Sequence, residues 1–427
     1  MKLERLAQYK QFIIVGFGVE GKSSAKFLSA VFPHTDQEII QTLESPLELK
    51  PNSAYIVSPG INRQKLLANI PTKHCTSNTE IFFENVAESD RKKIIGITGT
   101  KGKSTTTKFL YECLQTAHQQ VAIGGNYGSP LLDHFKTIHQ LDFLVAELSS
   151  YQLEFLKVSP FYSIFLNIFA DHLDRHETLE TYARIKQNIF NGTPPATHCL
   201  VPQSSRTQMI RQQLWINEST SQTIFTPSHP IDASIFPAES VFQAAHFREN
   251  FGCVQSLLKI LVGAKTPEIL KKTAQNFVGL PHRTEKFAEY HHVTFYDDSI
   301  ASNPDTATAA IKVFGANLGA IILGGYSGGG TYEKTVQTLQ KQAPKAFVWL
   351  PASNTRSEII QTLKTHHFPA SQIIQGNDFQ TLMQQGFPLI PAGKSVILSP
   401  GAKSYDSFKN YQDRGKAWQE SVHTYFA

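Results

Sequence analysis

Residues 96–107 read Gly-Ile-Thr-Gly-Thr-Lys-Gly-Lys-Ser-Thr-Thr-Thr, an apolar run passing through a glycine turn into a helix-forming segment. That order builds a phosphate cradle. Glycines let backbone N–H groups approach phosphate oxygens, and the new helix presents its positive end. Lys103 is then the cation for the β/γ charge and Ser104 the hydroxyl for Mg²⁺. A strict Walker spacing needs glycine at position 97, where this chain has Ile97. Three further groups decide what chemistry such a loop could serve. Glu147 closes an apolar run, where parallel sheets collect their ligands, and is a candidate Mg²⁺ ligand. Asp171-His172-Leu-Asp174-Arg175-His176 gathers ionisable and metal-capable side chains after another strand end, and Lys186 follows in the next helical segment. Phosphoryl transfer needs this kind of charge neutralisation and alignment around the nucleotide. A second glycine turn, Gly16-Phe-Gly18-Val-Glu-Gly21, follows Phe12-Ile-Ile-Val. Its acidic partner would be Asp36, in a segment too short for a dinucleotide site, so a mononucleotide diphosphate suits it better.

These side chains need a scaffold of short parallel strands. Apolar runs at Ile94–Thr98, Phe143–Glu147 and Tyr162–Asn167 alternate with amphipathic segments, the pattern of a mainly parallel α/β sheet. Ala54–Ile61 reads as a buried strand ending in a turn at Ser58-Pro59-Gly60. Further strands are expected at Thr294–Tyr296, Ala320–Leu323, Ala346–Leu350 and Val396–Leu398, and helices at Ala244–Gly263 and Asp406–Tyr425. The Pro-, Ser-, Thr- and Gln-rich stretch from Thr193 to Glu239 reads as strands and loops. Charged residues Glu88 to Lys93 and the turn cluster Gly279-Leu-Pro-His-Arg283 mark joints, giving domains 1–88, 89–278 and 279–427.

Composition narrows the class. The chain has 427 residues, too many for one ordinary core, with 18% charged and 41% hydrophobic residues and a net charge of +5. Those values describe a folded protein with a mild preference for anionic substrates and no nucleic-acid groove. The four cysteines, Cys75, Cys113, Cys199 and Cys253, form no C-x-x-C pair, which fits a reducing cytoplasm and no structural zinc. No apolar run is long enough for a membrane span and no secretory leader is apparent.

The motifs taken together resemble the Mur ligase and folylpolyglutamate synthetase superfamily, and within it the glutamate-adding branch of the Mur ligases. The resemblance runs through Thr98–Ser104, Glu147-Leu-Ser-Ser-Tyr-Gln152, Asp171–His176, Gly279–Arg283, Asp298-Ser299 and Leu398-Ser-Pro-Gly-Ala-Lys-Ser-Tyr-Asp-Ser-Phe408, then Arg414-Gly415. It implies a shortened Rossmann-like N-terminal domain for the UDP-substrate, a central P-loop ATPase domain and a Rossmann-like C-terminal domain for the amino acid. It implies that ATP activates the carboxylate of UDP-N-acetylmuramoyl-L-alanine as an acyl phosphate and that glutamate, D or L, attacks it. Lys103, His172 and Lys186 become the catalytic residues, with Lys186 carbamylated. Ser104, Glu147, His172 and Lys186 would hold two Mg²⁺ ions. Gly99, Thr100, Lys101, Gly102, Lys103, Ser104, Thr105, Asn250, Arg283 and Asp298 would bind ATP. Gly18, Val19, Ser58, Asn126, Ser149, Gln152 and His172 would bind the UDP-substrate, and Ser302, Lys403, Ser404 and Tyr411 the glutamate. A cytoplasmic monomer acting on small molecules follows.

This chain departs from the branch in particular places. Lys101 replaces an Asn or His, Phe247 an Asn of the adenine motif, and Ile300 a lysine of Asp-Ser-Lys-Ala-Thr-Asn. The basic residue usual after Gly324-Gly325 is missing from the loop ending at Gly330, and Lys403 is an addition that could replace it. The stretch from Phe32 to Ala54 is short, as though a strand and helix framing the uracil were lost. Two other readings stay open at this point: another amide ligase of the superfamily, and a catalytically silent paralogue that only binds nucleotide.

Overall fold

The computed structural model describes residues 1–41, 46–62, 69–215, 223–227, 230–237, 240–327 and 330–427. Three sheets organise them. In the first, β1 (Gln11–Val15) pairs in parallel with β2 (Asp36–Ile40) and β3 (Ser53–Val57), and β4 (Cys75–Thr76) adds to β3. Phe12, Ile13, Ile14, Val15 and Ala54–Val57 are buried, so β1 and β3 are covered on both faces, as continuous apolar parallel strands must be. The helix Val19–Val31 packs Phe27 and Leu28 into that core.

The second sheet holds β5 (Ile94–Thr98), β6 (Val121–Gly125), β7 (Phe143–Glu147), β8 (Tyr162–Phe165), β9 (His198–Leu200) and β10 (Thr223–Phe225), in the order β10-β9-β8-β5-β7-β6. Every pairing is parallel. With β5 between β7 and β8, the carboxyl ends of three strands lie side by side. The P-loop, Glu147 and the Asn167–His176 loop therefore leave from one edge of one sheet, where open α/β sheets bind ligands.

The third sheet contains β11 (Glu285–Tyr290), β12 (Val293–Asp297), β13 (Leu318–Ile322), β14 (Phe347–Leu350), β15 (Ile373–Gln375) and β16 (Ser395–Leu398), ordered β11-β12-β16-β13-β14-β15. Only the β11–β12 pairing is antiparallel. The chain forms two compact units, residues 1–238 with 245–276 and residues 239–244 with 277–427. The first unit carries the first two sheets, the second unit the third.

Several sequence expectations change. The stretch 193–239 contains a helix, Gln203–Arg211, in which only Ser205 and Met209 are buried. One buried pair four residues apart is too sparse to give a readable period in so polar a segment. Residues 216–222, 228–229 and 238–239 of that stretch lie outside the described residues. A strand does form between Phe32 and Ala54, the edge strand β2. The last helix starts at Tyr411 rather than Asp406, because the Asn410 side chain accepts from Asp413 N and caps it there. Among the described residues no helix is long and apolar enough to cross a membrane.

Candidate active site

The P-loop is shaped by crowding. Gly99 has φ +155 and Gly102 φ +83, and a Cβ at Gly99 would lie 2.9 Å from Leu166 Cβ, while one at Gly102 would meet Asn250 Nδ2. Asn250 thus stands against the turn that starts the helix Lys103–Thr116. Asn167 braces the loop from the next strand: its Oδ1 accepts from Thr100 N at 3.1 Å and Lys101 N at 2.9 Å, and its Nδ2 donates to Lys101 O at 3.0 Å. Tyr182 OH donates to Thr100 Oγ1 at 3.3 Å. Neither Asn167 nor Tyr182 was singled out by sequence, although Asn167 heads the Asp171 block.

Two ammonium groups meet on one carbonyl. Lys103 Nζ donates to Gly99 O at 3.0 Å and Thr100 O at 3.1 Å, and Lys186 Nζ donates to the same Gly99 O at 3.0 Å. Lys186 is 1% exposed. Burial, reinforced by the charge of Lys103, holds its pKa well below the usual lysine value, against the opposing pull of Asp171 and Glu147.

Glu147 is fully buried at the end of β7. Its Oε1 accepts from Asn126 Nδ2 at 2.7 Å, and Asn126 N donates to Glu147 O at 2.8 Å, so the two residues fix each other. Its Oε2 is buried without a hydrogen-bond partner. An uncompensated carboxylate oxygen beside a phosphate cradle is a donor set that suits a hard divalent cation. Ser104 stands in the first turn of the P-loop helix.

The Asp171–His176 block divides by role. Lys101 Nζ lies 3.6 Å from Asp171 Oδ2, so the unusual P-loop lysine reaches the block. His172 has φ +54, and its Nδ1 lies 3.0 Å from Tyr151 OH. Arg175 covers the Tyr151 ring at 4.4 Å, pairs with Glu154 at 2.7 Å and donates to Pro59 O at 3.0 Å. His176 is buried on Ser150 Oγ at 3.0 Å and burial lowers its pKa, so its place is structural. The Asp174 side chain lies outside the described residues.

At the N-terminal turn, Gly16 has φ +85 and Ser58 Oγ donates to its carbonyl at 2.6 Å. Gly18 caps the helix Val19–Val31 with no side-chain bond, leaving first-turn N–H groups for an anion, and Val19 is 72% exposed beside them. Ser149 and Gln152 form a capping box on the short helix Ser150–Leu153. Gln152 also binds Glu20 of the N-terminal turn, a residue that the sequence reading passed over.

In the second unit, Asp298 follows β12. Its Oδ1 accepts from Thr284 N at 3.1 Å and its Oδ2 from Ser399 Oγ at 2.8 Å, and burial pushes its pKa up to about 7. Arg283 contributes the favourable charge there, and its Nε is buried without a partner. Lys403 and Tyr326 exchange backbone hydrogen bonds at 2.8 and 3.1 Å, so Lys403 stands directly across from the glycine loop that lacks a basic residue. Gly328 and Gly329 of that loop lie outside the described residues. Arg414 fastens the region, donating to the carbonyls of Ser299, Ala402 and Lys403 and to Ser299 Oγ. Ser404 is buried in this turn, Tyr411 is half-buried at the head of the last helix, and Ser302 is exposed.

Residues 97–252 match the Mur ligase middle domain. The chain is 31% identical to UDP-N-acetylmuramoylalanine--D-glutamate ligase of Caldanaerobacter subterraneus subsp. tengcongensis over 88% of this chain and 84% of that one. It is 27% identical to the Thermoanaerobacter pseudethanolicus protein of the same name, covering 97% and 98%. Among solved structures it resembles MurF ligase from Thermotoga maritima in complex with ADP, with a TM-score of 0.57, 14% identity and coverage of 98% and 96%. MurF from Acinetobacter baumannii gives a TM-score of 0.57 at 16% identity, covering 98% and 92%. At those identities the structures speak to the fold.

Proposed function

Because the chain belongs to the UDP-N-acetylmuramoylalanine--D-glutamate ligase family and is an ATP-dependent ligase of peptidoglycan synthesis, we propose that it joins glutamate to UDP-N-acetylmuramoyl-L-alanine. The terminal carboxylate takes the γ-phosphoryl group of ATP, the glutamate amine attacks the acyl phosphate, and the tetrahedral intermediate expels phosphate. Carboxylates are poor electrophiles until activated in this way. The observation that carries the reading is the shared sheet edge in the first unit, with the P-loop, the unpartnered buried Oε2 of Glu147 and the buried amine of Lys186 together.

The parts divide as follows. Backbone N–H groups of 99–105 and Lys103 would bind and align the phosphates, with Asn167 keeping the loop open. Ser104 and Glu147 would hold one Mg²⁺, and His172 with carbamylated Lys186 a second. Bound there, Mg²⁺ supplies charge neutralisation for the transferring phosphoryl group. Asn250, Arg283 and Asp298 would contact the nucleotide. Gly18, Val19 and Ser58 would take the uridine diphosphate, and Asn126, Ser149, Gln152 and His172 the muramoyl-alanine end. Ser302, Ser404 and Tyr411 would line the glutamate site, where Lys403 replaces the missing basic residue. We further take the protein to be a cytoplasmic monomer with joints near 88 and 278. A silent paralogue is disfavoured, since a nucleotide clip has no use for buried Lys186 and Glu147.

Phosphate release from ATP, Mg²⁺ and UDP-N-acetylmuramoyl-L-alanine, with D-glutamate, L-glutamate or neither, tests this. Release that depends on one enantiomer is expected and names the amino acid. In the same assay Lys403→Ala should raise the glutamate KM about tenfold or more, the loss of a charge-assisted contact. No release with either enantiomer would refute the reading.

A further inference from the structure

His172 has two ring nitrogens, and the structure commits one of them. Nδ1 lies 3.0 Å from the hydroxyl of Tyr151, while Nε2 is 3.9 Å from Asp171 Oδ2, a separation longer than a hydrogen bond. The backbone at this point is already fixed. His172 opens the short helix Leu173–His176 in the left-handed region, at φ +54 and ψ +31, a conformation that a non-glycine residue keeps only where its surroundings hold it. Its N–H donates to Asp171 Oδ1 at 3.1 Å, and its carbonyl accepts from Arg175 N at 3.1 Å and His176 N at 3.0 Å. What remains is rotation of the imidazole, and Tyr151 stands at its Nδ1 edge. Tyr151 is itself held in place. The Arg175 guanidinium lies 4.4 Å from its ring and is tied to Glu154 and to Pro59 O. The His176 ring is 5.6 Å away and is anchored on Ser150 Oγ. A phenylalanine could make those same ring contacts. The hydroxyl adds a hydrogen bond to His172 that the packing does not require.

We propose that Tyr151 is a positioning residue: its hydroxyl oxygen accepts the Nδ1 proton of His172, which leaves Nε2 with its lone pair for a divalent cation. The proposal rests on the reading that His172 holds Mg²⁺. A neutral imidazole carries one proton, so fixing it on Nδ1 decides what Nε2 can do. Histidine ligands characteristically give their other N–H to a partner that sets both the tautomer and the pitch of the ring. A tyrosine hydroxyl suits that task, because it accepts this bond while keeping its own proton to donate. It also adds no further charge beside Asp171 and Lys101, which are 3.6 Å apart. The opposite assignment, with Tyr151 donating to Nδ1, puts the proton on Nε2 and turns that nitrogen into a donor, which no cation can use. Free histidine side chains favour the Nε2–H form, so the metal-binding tautomer must be selected by the protein. Tyr151 is placed at the nitrogen where that selection is made.

The tautomer can be read with no metal and no turnover. In the full chain labelled with ¹⁵N in histidine, long-range ¹H–¹⁵N correlation at about pH 9, well above an ordinary imidazole pKa of about 6.5, separates a protonated ring nitrogen from a bare one. His172→Ala identifies the His172 signals by their loss. Wild type should show Nδ1 protonated and Nε2 bare. Tyr151→Phe, which keeps the ring that Arg175 covers, should move His172 toward the Nε2–H form. A second arm titrates Mn²⁺ in the presence of a non-hydrolysable ATP analogue, followed by electron paramagnetic resonance. There His172→Ala should lose one bound ion, and Tyr151→Phe should bind that ion about 10-fold or more weakly than wild type. A wild type protonated at Nε2, or Tyr151→Phe matching wild type in tautomer or in Mn²⁺ affinity, would overturn the role of Tyr151, and the metal reading would stand so long as His172→Ala loses its ion. His172→Ala binding Mn²⁺ in the same number and as tightly as wild type would remove both.

Discussion

Lys103 and Lys186 place two ammonium nitrogens on the carbonyl of Gly99, an arrangement that like charges tolerate poorly in a buried site. Relief comes if one of them is neutral, and Lys186 is the one whose burial favours the free amine. A neutral amine is the form that can add CO₂ with loss of a proton, and the carbamate proposed above would turn a repelled cation into an anion able to face Mg²⁺ and Lys103. Lys186→Ala should therefore lower kcat by on the order of 10²–10³ with nucleotide still bound, and wild-type activity should fall in bicarbonate-depleted buffer. A carbamate signal from ¹³C-bicarbonate checks the chemistry directly, and its absence together with bicarbonate-independent activity would leave Lys186 an ordinary buried amine. Glu147, His172 and Lys186 were legible because each sits in a local motif with chemistry written into its residue types. Asn167 and Glu20 were not, and Arg414 was legible only as part of a motif and not in what it holds, because what they do depends on partners elsewhere in the chain. The Glu20–Gln152 bond spans 132 residues, and no local spacing encodes it.

Elements were legible where they are buried on both faces. β1, β3, β5, β7, β13 and β16 are buried over all or nearly all their length and read as continuous apolar runs. The strands that escaped, β2, β4, β6, β11 and β15, all lie at sheet edges: β2 and β11 mix polar residues into the run, β4 and β15 are two and three residues long, and β6 runs out into Gly124 and Gly125. Gly415 shows how an element can mislead in isolation. Within the helix Tyr411–Phe426 an interior glycine costs about 0.5–1 kcal/mol relative to alanine, so Gly415→Ala should stabilise by that amount. Its Cβ, however, would run into His282 Nδ1 and Asp297 Oδ2, both buried and bonded to each other at 2.7 Å. Overpacking of about 1–3 kcal/mol exceeds the propensity gain. Gly415→Ala should thus lower stability in urea unfolding, and a stabilised variant would show that this pair yields more easily than its bonding implies.

Two compact units with separate cores should answer different perturbations. The residues proposed to bind the UDP-substrate lie in the first unit, so on that reading saturation at ~100 times Kd adds ~2.7 kcal/mol to that unit. His282 belongs to the second. Its pKa is raised, chiefly by the hydrogen bond to Asp297 and against the effect of burial. A histidine whose folded pKa exceeds its unfolded value contributes stability that is fully present below about pH 6.5 and is lost as pH rises through the folded pKa. Asp298, raised to about 7 in the same unit, acts in the same direction, so comparison with His282→Ala is needed to cancel it. Scanning calorimetry should then resolve two transitions. UDP-N-acetylmuramoyl-L-alanine should raise one of them. The other should show a gap between wild type and His282→Ala that is widest below pH 6.5 and closes as pH rises. A single transition that moves with both ligand and the His282 substitution would mean that the units unfold as one cooperative body, and that the separation of cores does not extend to their energetics.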